Sequence, residues 1–119
     1  MSSKGSLTIK SYSKAAYDIA SSHPDFVIGF ISQSKIASDP NLLHMTPGVN
    51  ISKSNDPIDQ QYVSPEEAVL QKGADIIIVG SGIIEADDPV ESAILYQKRA
   101  YQALIDRSKV NANNLNEKL

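Results

Sequence analysis

Four β-branched residues in a row, Ile76-Ile77-Ile78-Val79, run straight into Gly80-Ser81-Gly82. An unbroken run of this kind reads as a strand buried on both faces, the pattern of a parallel sheet covered by helices. Two glycines directly after it let the backbone turn sharply and come close to a ligand. A strand, a glycine turn and then a helical pattern is how α/β chains build an anion site. The same pattern also describes a tight turn with no ligand, and a lone G-x-G does not separate the two.

At 119 residues the chain is long enough for one small domain with a modest core. The net charge of -3 and the lack of any long Lys/Arg cluster argue against nucleic acid as the main partner. The absence of cysteine excludes disulfides, thiol nucleophiles and thiolate metal sites. No segment is apolar and long enough to span a bilayer, and Met1 to Leu7 has no apolar signal region. No membrane partner and a cytoplasmic location are therefore expected.

Met1 to Ser11 reads as a polar loop, with only Leu7 and Ile9 to bury. Ser13 can cap a helix over Lys14 to Ser22, with Ala15, Ala16, Ile19 and Ala20 facing inward, and His23-Pro24 stops it. Phe26 to Ile31 is a second buried-strand run, in which Gly29 leaves room for a neighbouring side chain. Ser32 to Asn41 is a loop, Leu42 to Met45 a short strand, and Thr46-Pro47-Gly48 a turn signal. Val49 to Tyr62 is long and polar, which marks it as disordered or functional. Ser64-Pro65-Glu66-Glu67 is a capping box with proline at the first helical position, and Gly73 closes that helix. Ile83 to Asp87 suits a short helical turn. Asp88-Pro89 opens a long helix to about Ser108, with Val90, Ala93, Ile94, Tyr101, Leu104 and Ile105 inward. The Asn-rich tail, Val110 to Leu119, is expected to fray. Strands alternating with helices predict an α/β fold with a parallel sheet.

The loops after the last two strands hold the functional candidates. Gln60, Gln61 and Tyr62 carry amide and phenol donors suited to phosphate oxygens, and Gly80 to Ile84 supplies a glycine turn. Solvated polar loops are the alternative reading. His44, in an apolar strand, reads as a hydrogen-bonded core histidine rather than a base, and His23 as a helix-end residue. Glu85, Asp87 and Asp88 resemble a metal cluster on paper, but helix capping by Asp88 accounts for them more simply.

Five segments in register carry a resemblance. They are Ser2-x-x-Gly5-Ser6-Leu7, Phe26 to Ser32, Met45-Thr46-Pro47-Gly48-Val49, Gln60-Gln61-Tyr62 and Ala74 to Gly80. In order and spacing they resemble the C-terminal half of eukaryotic orotidine 5'-phosphate decarboxylase, including the decarboxylase domain of UMP synthase, over Met1 to about Arg107. The resemblance implies a partial (β/α)8 TIM barrel, about strands 6–8 with their helices, over residues 1–109, followed by a polar tail over 110–119. It implies decarboxylation of orotidine 5'-phosphate to UMP with no metal or organic cofactor, in a homodimer. It places Ser2 on the pyrimidine ring, Pro47 in the base pocket, and Gln60, Tyr62, Gly80 and Ser81 on the phosphate.

Two departures qualify that expectation. The family's catalytic lysine and aspartates lie in a D-x-K-x-x-D motif that this chain lacks. A barrel of this type takes roughly 250 residues, so a fragment inactive by itself is expected; a separate alternative has Met1 as an internal methionine of a longer protein. The family also has Gly-Arg-Gly where this chain has Gly80-Ser81-Gly82, which exchanges a forked, charged contact for one neutral hydroxyl. The alternative function is a non-catalytic module whose unpaired strand edges bind a complementary N-terminal half or a second copy.

Overall fold

The computed structural model describes residues 9–53 and 62–117. The element order is helix α1 (Ile9–Ser22), strands β1 (Gly29–Ile31) and β2 (Leu43–Thr46), a π-helix (Glu67–Gln71), strand β3 (Ile76–Ile77), helix α2 (Ser81–Ile84) and helix α3 (Pro89–Glu117). The strands form one parallel sheet in the order β1-β2-β3. The predicted α/β alternation is thus what the chain adopts.

Register decides which side chains share a face. Phe30 lies opposite His44 and Thr46 opposite Ile77, while Ile31, Met45 and Ile76 form the next row on the other side. The face of Phe30, His44 and Thr46 is buried. Phe30 packs with Ala20 and Leu42 under α1, and half-buried Ala16, Tyr17, Val27 and Ile36 complete that cluster. A second cluster, Val49, Val63, Ala68, Ala74 and Tyr96, lies between the loop after β2, the π-helix and α3.

The opposite face differs from expectation. Ile76 is 44% and Ile78 37% exposed, and Ile31 and Leu43 on the neighbouring strands are also exposed. The β-branched run is therefore not buried on both faces. Among the described residues β3 is an edge strand of a three-stranded sheet, and helices cover one side only.

Several local boundaries also moved. Helix α1 starts at Ile9, five residues ahead of the expected Lys14, and its Ile19 and Ala15 face solvent while Ala16, Tyr17 and Ala20 face inward. β1 begins at Gly29, where a Cβ would collide with the backbone of Leu43. A backbone, not a side chain, demands that glycine. Helix α3 runs through Glu117 rather than fraying after Val110, since no Gly or Pro follows Pro89 to end it. Its inward face is Ala93, Tyr96, Ala100 and Ala103, at alternating steps of three and four, whereas Val90, Ile94 and Tyr101 are exposed.

The helix start at Ser64 is as read. Ser64 Oγ accepts from Glu67 N–H at 3.2 Å, and its hydroxyl donates to the Glu67 carboxylate at 3.5 Å. The helix then widens. Lys72 N–H reaches the Glu67 carbonyl and Ala74 N–H the Ala68 carbonyl, with Gly73 between them at φ 74.

Two arginines of α3 fasten this helix to the sheet. Arg99 holds Glu66 through two contacts of 2.6 Å, and Arg107 donates to the carbonyls of Val69 (3.1 Å) and Ala74 (2.9 Å) and to the Asp75 carboxylate (3.2 Å). The Arg99 pair has better geometry, but Glu66 is 40% exposed and water screens it. Arg107 bonds two backbone carbonyls as well as a carboxylate, three contacts spread over the end of the π-helix and the start of the strand segment. Arg107→Ala is expected to cost about 1–3 kcal/mol and Arg99→Ala about 0.5–1 kcal/mol in urea unfolding. Equal losses would contradict this ranking.

Candidate functional site

The loops that leave β2 and β3 meet at the same end of the sheet. After Thr46, Pro47 is half-buried and Gly48 takes φ 73, which redirects the chain into Val49 and Asn50, both buried. The far end of the loop returns beside it. Val49 pairs with Val63 in a parallel bridge, with Asn50 N–H on the Val63 carbonyl and Val63 N–H on the Gly48 carbonyl, each 3.0 Å. That bridge sets Tyr62 next to the start of its own loop.

Asn50 then ties this loop to the glycine turn. Its Nδ2 donates to Ser81 Oγ at 3.1 Å, and its Oδ1 accepts from Ser52 N–H, Ser52 Oγ–H and Lys53 N–H. Beside it, Ile51 N–H donates to the Tyr96 hydroxyl at 2.9 Å. The two glycines of the turn serve different ends. A Cβ on Gly82 would collide with the Tyr96 hydroxyl, whereas a Cβ on Gly80 would meet no atom within 4 Å. Gly82 is thus a packing requirement, and Gly80 borders open space. The turn closes through Ile83 and Ile84 N–H on the Gly80 carbonyl, while the N–H groups of Gly80, Ser81 and Gly82 meet no acceptor among the described residues. Amides without a described acceptor, at a turn where Gly80 borders open space, can receive an anion.

Of the residues singled out from the sequence, Tyr62, Gly80 and Ser81 belong to this corner, and Pro47 begins the segment that builds it. Ser2, Gln60 and Gln61 lie outside the described residues. Tyr62 is half-buried, and Lys53 Nζ stands 5.2 Å from its ring centroid. Among the described residues no group of three or more acidic or histidine side chains is placed to hold a metal. Asp88 accepts from Glu91 N–H at 3.1 Å, so it caps α3.

Comparison with known proteins places the chain in a family. The model of the orotidine 5'-phosphate decarboxylase / HUMPS family matches residues 1–96. The chain belongs to this family. It is 46% identical over 110 residues to uridine 5'-monophosphate synthase of Bos taurus, covering 92% of this chain and 23% of that protein. It is 41% identical to orotidine 5'-phosphate decarboxylase of Penicillium nalgiovense and 43% identical to that of Aspergillus fumigatus, covering 90% of this chain and 42% of each. The chain therefore spans less than half the length of these relatives. Among the described residues, no helix is long and apolar enough to cross a membrane.

In this family member the sequence reading missed Asn50 and Tyr96. Asn50 was one polar residue in a polar loop. Tyr96 falls on the Ala93-Tyr96-Ala100-Ala103 spacing, a signal that was available but lay beside a second apolar stripe, Val90-Ile94-Tyr101, that faces solvent.

His44 is a core histidine, 3% exposed. Its Nε2 accepts from Ile36 N–H at 3.1 Å and Ala37 N–H at 3.4 Å, so the ring is neutral with its proton on Nδ1, facing Asp75 at 4.0 Å. Asp75 also accepts from the His44 backbone N–H at 2.9 Å. Burial pushes the His44 pKa down, against the pull of Asp75, and Lys35 adds to the lowering. The loop after β1 is therefore pinned by a histidine that must stay unprotonated. The unfolded chain takes up this proton near 6.5 and the folded chain only at lower pH. Stability from the neutral ring is thus full above that value and is lost as pH falls through it. Glu66, held low by its Arg99 hydrogen bond, adds a separate loss only below 4.5. Thermal unfolding followed from pH 7.5 to 5 is expected to show a falling Tm that His44→Gln flattens. An unchanged slope in the variant would remove His44 as the cause.

Proposed function

We propose that this chain is the C-terminal part of an orotidine 5'-phosphate decarboxylase barrel, with residues 1–109 as strands six to eight and their helices and 110–119 as a polar tail. Its role on this reading is to supply contacts to orotidine 5'-phosphate or UMP. Ser2 meets the pyrimidine ring, Pro47 lines the base pocket, and Gln60, Tyr62, Gly80 and Ser81 surround the phosphate. The observation that carries it is the joining of the loops after β2 and β3 by the Asn50–Ser81 hydrogen bond, beside three amides with no described acceptor. Preformed donors of this kind suit an anion that must be held while chemistry proceeds elsewhere on the substrate.

The chain lacks a D-x-K-x-x-D motif. It therefore holds substrate contacts without the lysine that the family's reaction calls for. Purified chain mixed with orotidine 5'-phosphate is expected to show no ultraviolet absorbance change above the uncatalysed background. Addition of the N-terminal part of a fungal relative, itself inactive, is expected to produce turnover. Turnover by the chain alone, or none in the mixture, would overturn the proposal.

One observation favours a second reading, a non-catalytic module that pairs with another copy. Phe26, Ile28, Ile31, Leu43, Ile76 and Ile78 are all exposed, and among the described residues β1 and β3 each have an unpaired edge. Sedimentation of the chain at micromolar concentration separates the two. A stable dimer supports the pairing module, and a monomer that associates only with the N-terminal part supports the barrel.

A further inference from the structure

We infer that Lys53 supplies the cation for the phosphate at the Gly80–Gly82 turn, and that Asn50 is the residue that positions it. The inference rests on the proposed phosphate reading of that turn and adds a residue to it. Ser81 is neutral, and its oxygen already accepts from Asn50 Nδ2 at 3.1 Å, so the turn itself carries no positive side chain. A dianionic phosphate ester held by amides alone keeps most of its charge uncompensated.

Lys53 is fixed to the same turn by one side chain. Asn50 Nδ2 bonds Ser81, and Asn50 Oδ1 bonds the Lys53 N–H at 3.2 Å, so the turn and the lysine backbone sit at the two ends of one buried amide. The Ile51–Tyr96 hydrogen bond anchors the residue between them to α3. The segment carrying Lys53 is therefore held from two sides, although it lies at the start of a long loop. Its side chain leads to Tyr62, with Nζ 5.2 Å from the ring centroid. Tyr62 is itself assigned to the phosphate on the proposed reading.

Lys53 also has no carboxylate partner among the described residues. The ion pairs there are Arg99–Glu66 and Arg107–Asp75, and Asp75 also faces the neutral His44 ring. Arg99 and Arg107 are committed to fastening α3, and Lys72 donates to the Gln33 carbonyl. Lys53 is thus a cation resting on an aromatic face, and an aromatic face is readily exchanged for a stronger anionic acceptor.

The test is calorimetric titration of the chain with UMP and with uridine, which lacks the phosphate, for the native chain and for Lys53→Gln, Lys53→Arg and Asn50→Ala. Circular dichroism confirms folding of each variant. The native chain is expected to bind UMP more tightly than uridine. Lys53→Gln is expected to weaken UMP binding about tenfold with uridine unchanged and with a shallower salt dependence. Lys53→Arg keeps most of the affinity, and Asn50→Ala shares the UMP-specific loss. A Lys53→Gln chain that binds UMP as the native chain does would overturn the inference and leave the phosphate reading standing. A native chain that does not distinguish UMP from uridine would overturn both.

Discussion

Asn50 carries hydrogen bonds at both ends of its amide in a position 2% exposed. An amide buried without partners costs about 1–3 kcal/mol, so the position is tenable only when the loop after β2 and the turn after β3 are both in place. Each then determines the other. The Val49–Val63 bridge brings the loop back on itself, the Asn50 side chain presents that loop to Ser81, and Tyr96 of α3 closes the back of the corner against Ile51. Gly82 follows from the same constraint, since the Tyr96 hydroxyl occupies the space a side chain would need. Gly80, with nothing near it, remains the exposed part of the turn.

The sheet beneath this corner is covered on one side. Parallel strands ordinarily have both faces packed, because their connections place helices or further strands there. In this chain Phe30, His44 and Thr46 are buried, while the rows of Ile31, Leu43, Ile76 and Ile78 are open. Exposed isoleucines on successive strands form one continuous apolar surface, which water disfavours by roughly 25 cal/mol per Å². Under the proposed reading that surface is the lining of a barrel whose remaining strands belong to the rest of the protein.

What could be read from the sequence followed from short-range physics. The capping signals at Ser64 and Asp88 stood because a helix terminus is decided by the few residues that satisfy its free amides. His44 was correctly placed as a bonded core residue because a polar ring in an apolar strand has few other options. The β-branched run correctly indicated a parallel strand, but its two-sided burial depended on neighbours that this chain does not supply. The inward face of α3 was legible in part: Ala93, Leu104 and Ile105 are half-buried as expected, while Val90, Ile94 and Tyr101 are exposed, because two apolar stripes compete there and tertiary contact with Gly82 and Ile51 selects Tyr96. Asn50 could not be ranked above the other polar residues of its loop, since its importance arises from meeting Ser81, 31 positions away.

The exchange of a forked arginine for the Ser81, Asn50 and Lys53 arrangement changes how charge is delivered, under the proposed reading. A guanidinium on the turn is aimed by its own planar geometry, and little of its freedom is lost when it binds. An ammonium on a four-carbon stem must be aimed by its surroundings, because, although both side chains carry about 2 kcal/mol of rotamer entropy, it lacks the pre-organised fork that lowers the loss per hydrogen bond. Two features of this chain provide that aim: a backbone fixed through Asn50, and the Tyr62 ring beneath Nζ, a contact worth about 0.5–1 kcal/mol when exposed. The ring contact is weak enough to be displaced by a phosphate and strong enough to bias the stem toward it. Orientation that an arginine carries within its own side chain is here spread over three residues, so the loop after β2 must be ordered before the charge can act.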